Sequence, residues 1–153
     1  MDINDFRSLL TVLGLLCFLG IAAWAYSMAV VQIDKRYPGQ ARRVMMALWG
    51  MLAQFSYTKT IIVVDRDIDP RSWDDIAWAM ATRMDAARDV ILLDGTPMDY
   101  LDFASPREGL AGKMGIDATT KIGAETARDW GQVMALAPAH VARAEDLLRG
   151  IVP

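Results

Sequence analysis

Cysteine occurs once in the sequence, at Cys17, and histidine once, at His140. A single thiol excludes an internal disulfide and a zinc cluster of the CxxC type, and it leaves the compartment open, a reducing cytoplasm being merely compatible. His140 follows Pro138-Ala139 at a predicted helix start with no cysteine or carboxylate in ligand spacing, so it reads as a surface histidine and no metal site is expected. Basic excess is missing too. A net charge of −3 argues against a nucleic-acid partner, whose binders carry a basic excess or stripe. GxSxG, HExxH, Walker A and GxGxxG are all absent, and Gly109-x-x-Gly112-x-x-Gly115 does not follow a predicted strand as a phosphate loop should. No repeat, low-complexity tract or Gly/Ser-rich linker occurs. No catalytic residue is named by motif.

Charge is lacking from one long stretch. Ser8 to Val31, SLLTVLGLLCFLGIAAWAYSMAVV, carries no charged residue, and about 20 apolar residues span a bilayer core as a helix. Trp24 and Tyr26 lie near its far end, where amphipathic aromatics prefer the interface. A buried core helix and a signal peptide are the competing readings, but Asp2 and Asp5 spoil a basic n-region and no small-residue cleavage site follows cleanly. Lys35, Arg36, Arg42 and Arg43 follow the stretch, against Arg7 alone before it. The positive-inside rule then puts a single-pass chain in the inner (cytoplasmic) membrane with its C-terminal body in the cytoplasm. A hydrophobic content of 54% and a mean hydropathy of +0.20 agree with such a segment.

The body is organised around Tyr57–Met84. Ile61–Val64 is a β-branched run short enough for a strand buried on both faces, closed by Asp65–Asp69 and Pro70. Ser72-x-x-Asp75 resembles a capping box, and Ile76, Ala77, Met80, Ala81 and Met84 form an apolar helical stripe behind it. Upstream, Pro38 can start a helix whose stripe runs from Ala41 to Phe55, with Arg42 and Arg43 as solvated charges on its other face. Downstream, Val90–Leu93 is a second buried-strand run stopped by Asp94-Gly95-Thr96-Pro97, and Met98–Pro106 is irregular. The three glycines loosen a loop before a short strand over Met114–Ala118. Ala124–Val133 and Pro138–Leu148 read as two terminal helices. Strand–turn–helix units of this kind make an α/β domain, here a mixed sheet flanked by helices and preceded by one transmembrane helix.

Two constellations invite chemistry. Asp65-x-Asp67-x-Asp69 suggests calcium, yet an EF-hand loop wants Gly and Glu where Pro70 and Ile76 stand, so these are turn and helix-start carboxylates. Lys59 precedes the buried strand, where a cation could reach a phosphate as a point charge. A plain strand-edge lysine is the competing reading. The ten methionines fall on helical stripes and read as core filler.

These runs also carry a resemblance. Arg36–Met46 (RYPGQARRVMM), Tyr57–Asp69, Trp78–Asp89 (WAMATRMDAARD), Thr96–Pro106 (TPMDYLDFASP) and Lys113–Lys121 (KMGIDATTK), in this order, resemble the C-terminal domain of the UbiD family of prenylated-flavin-dependent (de)carboxylases. The family includes the polyprenyl-hydroxybenzoate decarboxylase of ubiquinone synthesis. The resemblance covers roughly Met28 to the C-terminus and implies a lyase fold part that contacts other subunits and covers a flavin site. It also implies prenylated FMN as the family's cofactor, with Lys59 matching a lysine that touches the flavin phosphate in some relatives. The family's catalytic Glu-Arg-Glu set, its metal ligands and most flavin contacts belong to preceding domains, whose segments are not among these residues. A Trp-Pro-Gly before Glu-Thr in the family is replaced here by Ile122-Gly123-Ala124 before Glu125-Thr126.

Met1–Ser27 resembles something else, the N-terminus of the small single-span CcoQ (FixQ) subunit of cbb-type cytochrome c oxidases, through MDIN, Arg7-Ser8 and the WAYS ending. The domains are therefore 1–27, a CcoQ-like membrane helix, and 28–153, a UbiD-like α/β domain. If Val30, Val31 and Ile33 form the domain's first strand, the membrane helix stops near Tyr26, and Leu9–Tyr26 with its 18 residues is near the lower limit for spanning. With no linker between them, the parts read as a junction of unrelated pieces, artificial or recombined. The expected function is a membrane-tethered fragment of UbiD-type decarboxylase, inactive alone, homo-oligomeric or completed by a partner carrying the missing domains. The alternative is a non-enzymatic accessory subunit among respiratory oxidase subunits.

Overall fold

The structure, a computed structural model, describes residues 27–51, 56–131, 133–134 and 136–149. The expected membrane helix Leu9–Tyr26 lies outside the described residues, as does the oxidase-like segment apart from Ser27. Among the described residues no helix is long and apolar enough to cross a membrane.

The centre is β2 (Thr60–Asp65), whose residues from Thr60 to Val64 are all buried. It pairs in parallel with β1 (Met28–Ile33) on one side and with β4 (Leu110–Ala118) on the other. β3 (Val90–Pro97) closes the sheet antiparallel to β4, giving the order β1-β2-β4-β3. The reason for a continuous β-branched run is now visible: both faces of β2 are covered. α1 (Gln40–Met51) lays Ala41, Met45 and Trp49 over Ile61 and Val63. α2 (Trp73–Arg83) lays Ile76 and Ala79 over Ile62, Val64 and Ile116 on the opposite face. Mixed sheet and flanking helices agree with the expectation.

Several local expectations are corrected. Pro38 does not open α1; it sits in a turn, and Gly39, at φ +77°, makes the left-handed step from which the helix starts at Gln40. Half of the Ser72 capping box forms, the Ser72 hydroxyl accepting from the Asp75 N–H at 3.2 Å, while the Asp75 carboxylate turns to the Asp69 N–H at 3.3 Å. The buried stripe of α2 is Ile76, Ala79 and Arg83, with Met80 and Met84 beside it; Ala77 and Ala81 face solvent. β3 is not a doubly buried strand. It lies at the sheet edge with Leu92 74% exposed, and it runs through Asp94–Pro97 over a register shift rather than stopping there. The glycine stretch is not a loop either, since Gly112 and Gly115 lie inside the nine-residue β4. At Gly115 a Cβ would come within 2.6 Å of Met45 Sδ and 3.1 Å of Trp49, so the glycine is what lets α1 pack onto β4.

After β4 the expected helix over Ala124–Val133 is absent among the described residues; a single 3-10 turn, Gly123–Glu125, takes its place. α3 (Ala86–Asp89) is a four-residue turn capped by the Asp85 carboxylate. α4 (Pro138–Arg149) forms as expected but buries none of its residues, so its apolar side chains Val141, Leu147 and Leu148 stay exposed.

Candidate functional site

The three parallel strands end on one edge of the sheet, the edge at which open α/β folds hold ligands. Each strand delivers polar or charged groups there: Lys35 beyond β1, Asp65 at the end of β2 with Asp67 beyond it, and Asp117 near the end of β4 with Thr119 and Lys121 after it. Lys121 Nζ lies 3.0 Å from Asp117 Oδ1 and 3.4 Å from Asp89 Oδ1, and it donates to the Asp117 carbonyl at 2.9 Å. Lys35 Nζ meets Glu125 Oε2 at 2.6 Å, Thr119 Oγ1 at 2.9 Å and the Thr120 carbonyl at 2.9 Å, with Asp117 Oδ2 at 3.9 Å. Asp117 in turn accepts from the Thr119 N–H at 3.0 Å and its hydroxyl at 2.5 Å.

Arg83 forms a second knot beside this one. Its guanidinium donates to Asp65 at 2.8 Å and to both Asp67 oxygens at 2.9 and 2.5 Å, and it stands 5.1 Å over the Trp78 ring. Asp65 Oδ2 also accepts from the Thr120 N–H at 2.5 Å, which joins the two knots. The Arg83 hydrogen bond lowers the Asp67 pKa, and Asp67 reciprocally raises that of Arg83. Burial pushes Asp89 and Glu125 upward, but their donors outweigh it. Arg88, the Asp85 N–H and Lys121 bring Asp89 below its ordinary value; the Gly39 N–H and Lys35 do so for Glu125.

Beyond these charges opens a groove of about 1110 Å³, walled by Trp78, Arg83, Arg88, Thr120, Trp130 and Met134 among others. The edge's enclosed charges are all spoken for: no buried side-chain nitrogen or oxygen among the described residues lacks a partner. The arrangement fixes the strand ends.

Lys59 stands at the opposite edge, just before β2. Its Nζ is 2.7 Å from Asp102 Oδ2, and the hydrogen bond from Lys59 holds the Asp102 pKa down. The neighbouring recess of about 570 Å³ is lined by Tyr57, Met98, Asp99, Tyr100, Glu108 and Gly109. A phosphate reaching Lys59 would share its ammonium with Asp102.

The remaining singled-out residues are placed as follows. Asp65 and Asp67 bind Arg83 and Asp69 accepts from the Arg71 N–H at 2.9 Å, so the acidic triplet is a turn with an ion pair. No group of metal-ligating side chains occurs among the described residues. Arg42 donates to the Arg88 carbonyl and Arg43 to the Tyr37 hydroxyl. Asp99 caps the Leu101 N–H at 2.9 Å, and His140 is exposed on α4. Lys35, Arg83, Asp89 and Lys121 were not expected at a site. One signal was present, the Asp117–Lys121 spacing of four directly after a strand. Lys113 was also missed. Its amine reaches the Pro97 carbonyl at 3.1 Å, and burial lowers its pKa.

The family model of the 3-octaprenyl-4-hydroxybenzoate carboxy-lyase C-terminal domain matches residues 17–118. The match starts inside the stretch whose resemblance was to an oxidase subunit. Among solved structures, the closed form of Sedimentibacter hydroxybenzoicus vanillic acid decarboxylase is 28% identical, with a TM-score of 0.69, over 81% of this chain and 26% of that one. The UbiD-class enzyme HmfF from Pelotomaculum thermopropionicum, in complex with FMN, is 30% identical over 77% of this chain and 25% of its own, with a TM-score of 0.62. An evolved dimeric form of that enzyme, in complex with prFMN, is 28% identical over 74% and 21%, with a TM-score of 0.51. The chain thus spans about a quarter or less of the length of these relatives.

Proposed function

The chain belongs to the family of the 3-octaprenyl-4-hydroxybenzoate carboxy-lyase C-terminal domain, and from that premise we propose that it is the docking and cover module of a UbiD-type decarboxylase assembly. The flavin and the groups that move protons are supplied by the other domains of such an assembly. The observation that carries this reading is the carboxyl-terminal edge itself: a groove of about 1110 Å³ floored by charges that already have partners. Such an edge spends its buried charges on holding the strand ends together.

Prenylated FMN, when bound in such an assembly, supplies the electron sink for decarboxylation. This chain's residues hold the strand ends, wall the groove and exclude water from the contact. We further propose that residues 9–26 anchor the module in the cytoplasmic membrane with its body on the cytoplasmic side, supported by the charge-free run Ser8–Val31 and by β1 beginning at Met28. An accessory role on a respiratory oxidase has support only from Met1–Ser27, and co-purification with haem-bearing subunits would be its test.

The experiment is reconstitution. The purified chain is mixed with reduced prenylated flavin and a panel of aromatic and acrylic acids, with and without separately produced flavin-bearing domains of a UbiD-class relative, and carbon dioxide is followed. Turnover is expected only in the complete mixture. Flavin retained by the chain alone through gel filtration, or turnover by it that Lys59→Ala abolishes, overturns the reading.

A further inference from the structure

The turn between β3 and β4 is a self-contained unit with one tie to the body. Inside it the Asp99 carboxylate accepts from the Leu101 N–H at 2.9 Å. Asp102 accepts from the Ala104 N–H at 3.2 Å and from the Ser105 hydroxyl at 3.0 Å. The Met98 N–H closes its base on the Gly109 carbonyl at 3.0 Å. Among the described residues, one hydrogen bond leaves residues 99–106 for the rest of the chain, from Lys59 Nζ to Asp102 Oδ2 at 2.7 Å. Tyr100 and Phe103, 69% and 93% exposed, ride on this unit.

The two ends of the tie are unequally committed. Asp102 keeps both of its turn donors when Lys59 leaves, so its carboxylate is not stranded. Lys59 has no second acceptor among the described residues, and its side chain, 34% exposed, is open to an anion from solvent. Two anions on one ammonium repel, and Asp102 is the one with other donors to fall back on. A second cation stands nearby. The Met114 N–H donates to the Lys59 carbonyl at 2.9 Å, which sets Lys113 beside Lys59 on the neighbouring strand. Lys113 is 4% exposed, and its amine meets the Pro97 carbonyl at 3.1 Å with no carboxylate in ion-pair contact among the described residues. A buried amine without a counter-ion favours an anion at this end of the sheet.

We propose that Asp102 is a placeholder at Lys59: a phosphate monoester takes the ammonium from it, and the turn carrying Tyr100 and Phe103 is thereby released from β2. This rests on the reading above, in which a phosphate-bearing flavin arrives with the other domains. The turn is then set free by the very group it is to cover. A phosphate dianion suits the exchange, offering more charge and three acceptor oxygens where Asp102 gives Lys59 one. A seat built on one exposed lysine is weak. Free phosphate should bind it with a dissociation constant of roughly 1 mM and wash out on gel filtration.

The test uses the full chain in mild detergent, carrying Cys17→Ser and a fluorophore on Ala104→Cys. Anisotropy of the label reads the turn, and phosphorus NMR of added inorganic phosphate reads binding. Phosphate is expected to lower the anisotropy, FMN to do the same, and riboflavin or chloride at equal ionic strength to leave it unchanged. Lys59→Met should have low anisotropy from the start and no phosphate binding. Asp102→Asn keeps an oxygen for Ala104 and Ser105; it should also start low, yet bind phosphate about tenfold more tightly, the size of an ordinary coupling between two ligands. Asp99→Asn removes the same charge from the same turn without touching Lys59, and should keep high anisotropy and an affinity within about twofold. A labelled chain of unchanged circular dichroism whose turn ignores phosphate overturns the proposal, whether or not the variants fold. Equal tightening by Asp99→Asn and Asp102→Asn reduces the effect to net charge and overturns it too. A response to riboflavin assigns the contact to the ring, and a response to chloride assigns it to screening; either one sinks the exchange. No readout involves flavin-bearing domains, so a failed exchange leaves the assembly reading to its own reconstitution.

Discussion

Lys121 is the largest fully buried side chain in the described part of the molecule, and it is a cation. Burial of a charge is tolerated only with close partners, and Lys121 has Asp117 at 3.0 Å and Asp89 at 3.4 Å. Removing one partner of a buried pair typically costs about 3–5 kcal/mol, because the other charge is stranded. Asp89 retains Arg88 and Asp117 retains contact with Lys35, so Lys121→Met should fall at the low end, about 3 kcal/mol. Urea unfolding of a 27–153 fragment measures it, and a loss below about 1 kcal/mol would contradict the network's role in stability. The same network sets a pH dependence. Asp67, Asp89 and Glu125 all have folded pKa values below their ordinary 3.8, 3.8 and 4.5. Their stabilisation is complete above those ordinary values and is lost as pH falls through the lower folded ones. Melting temperature should therefore drop most steeply below about pH 4; a protein as stable at pH 3 as at pH 6 would refute this.

Elements show where sequence reading reaches and where it stops. β2 was legible because a β-branched run covered on both faces looks the same from either side, and its two covering helices have periodic stripes. Val63 is fully buried on the α1 face. Val63→Asp should unfold the domain, costing several kcal/mol, whereas Arg42→Ala, at an exposed contact to the Arg88 carbonyl, should stay within about 0.5 kcal/mol. Equal melting temperatures would remove β2 from the centre. β3 was misread for a related reason: Val90–Leu93 has the composition of a buried strand, and nothing local says that it will be an edge. β4 was half hidden by its glycines, which signal a loop until the partner helix is known. Gly115 is small because Met45 and Trp49 press on it. Gly115→Ala should cost about 1–3 kcal/mol by overpacking, and Met45→Ala in the same chain should return part of that loss. A double-mutant cycle with no coupling between the two positions would separate Gly115 from α1.

At the scale of the whole molecule the charge network could not be read from sequence, because its members meet only through topology. Lys35 and Glu125 are 90 residues apart, and they touch because β1 and β4 end on the same side of β2. The site's location was implied by parallel strands, its composition by nothing local apart from the Asp117–Lys121 spacing. That same geometry sets where the folding unit ends. Glu125 accepts from the Gly39 N–H at 2.7 Å and from Lys35, and its carbonyl accepts from Arg88 at 3.3 Å, so the 3-10 turn is tied to α1, β1 and α3 at once. α4, twelve residues long, leaves Leu147 63% and Leu148 57% exposed and buries nothing. Two truncations should therefore behave oppositely. Ending a fragment that starts at 27 after residue 136 removes α4 and should leave unfolding free energy within about 0.5 kcal/mol, as surface changes do. Ending it after residue 119 removes Lys121 and Glu125 as well. Asp89 and Asp117 are then left without Lys121, and Lys35 without Glu125, losses that should leave the fragment without a cooperative transition. Calorimetry of the two fragments decides it. A large loss on removing α4 alone would place that helix in the core after all, and a cooperative transition in the shorter fragment would reduce the network to decoration on a sheet that folds without it.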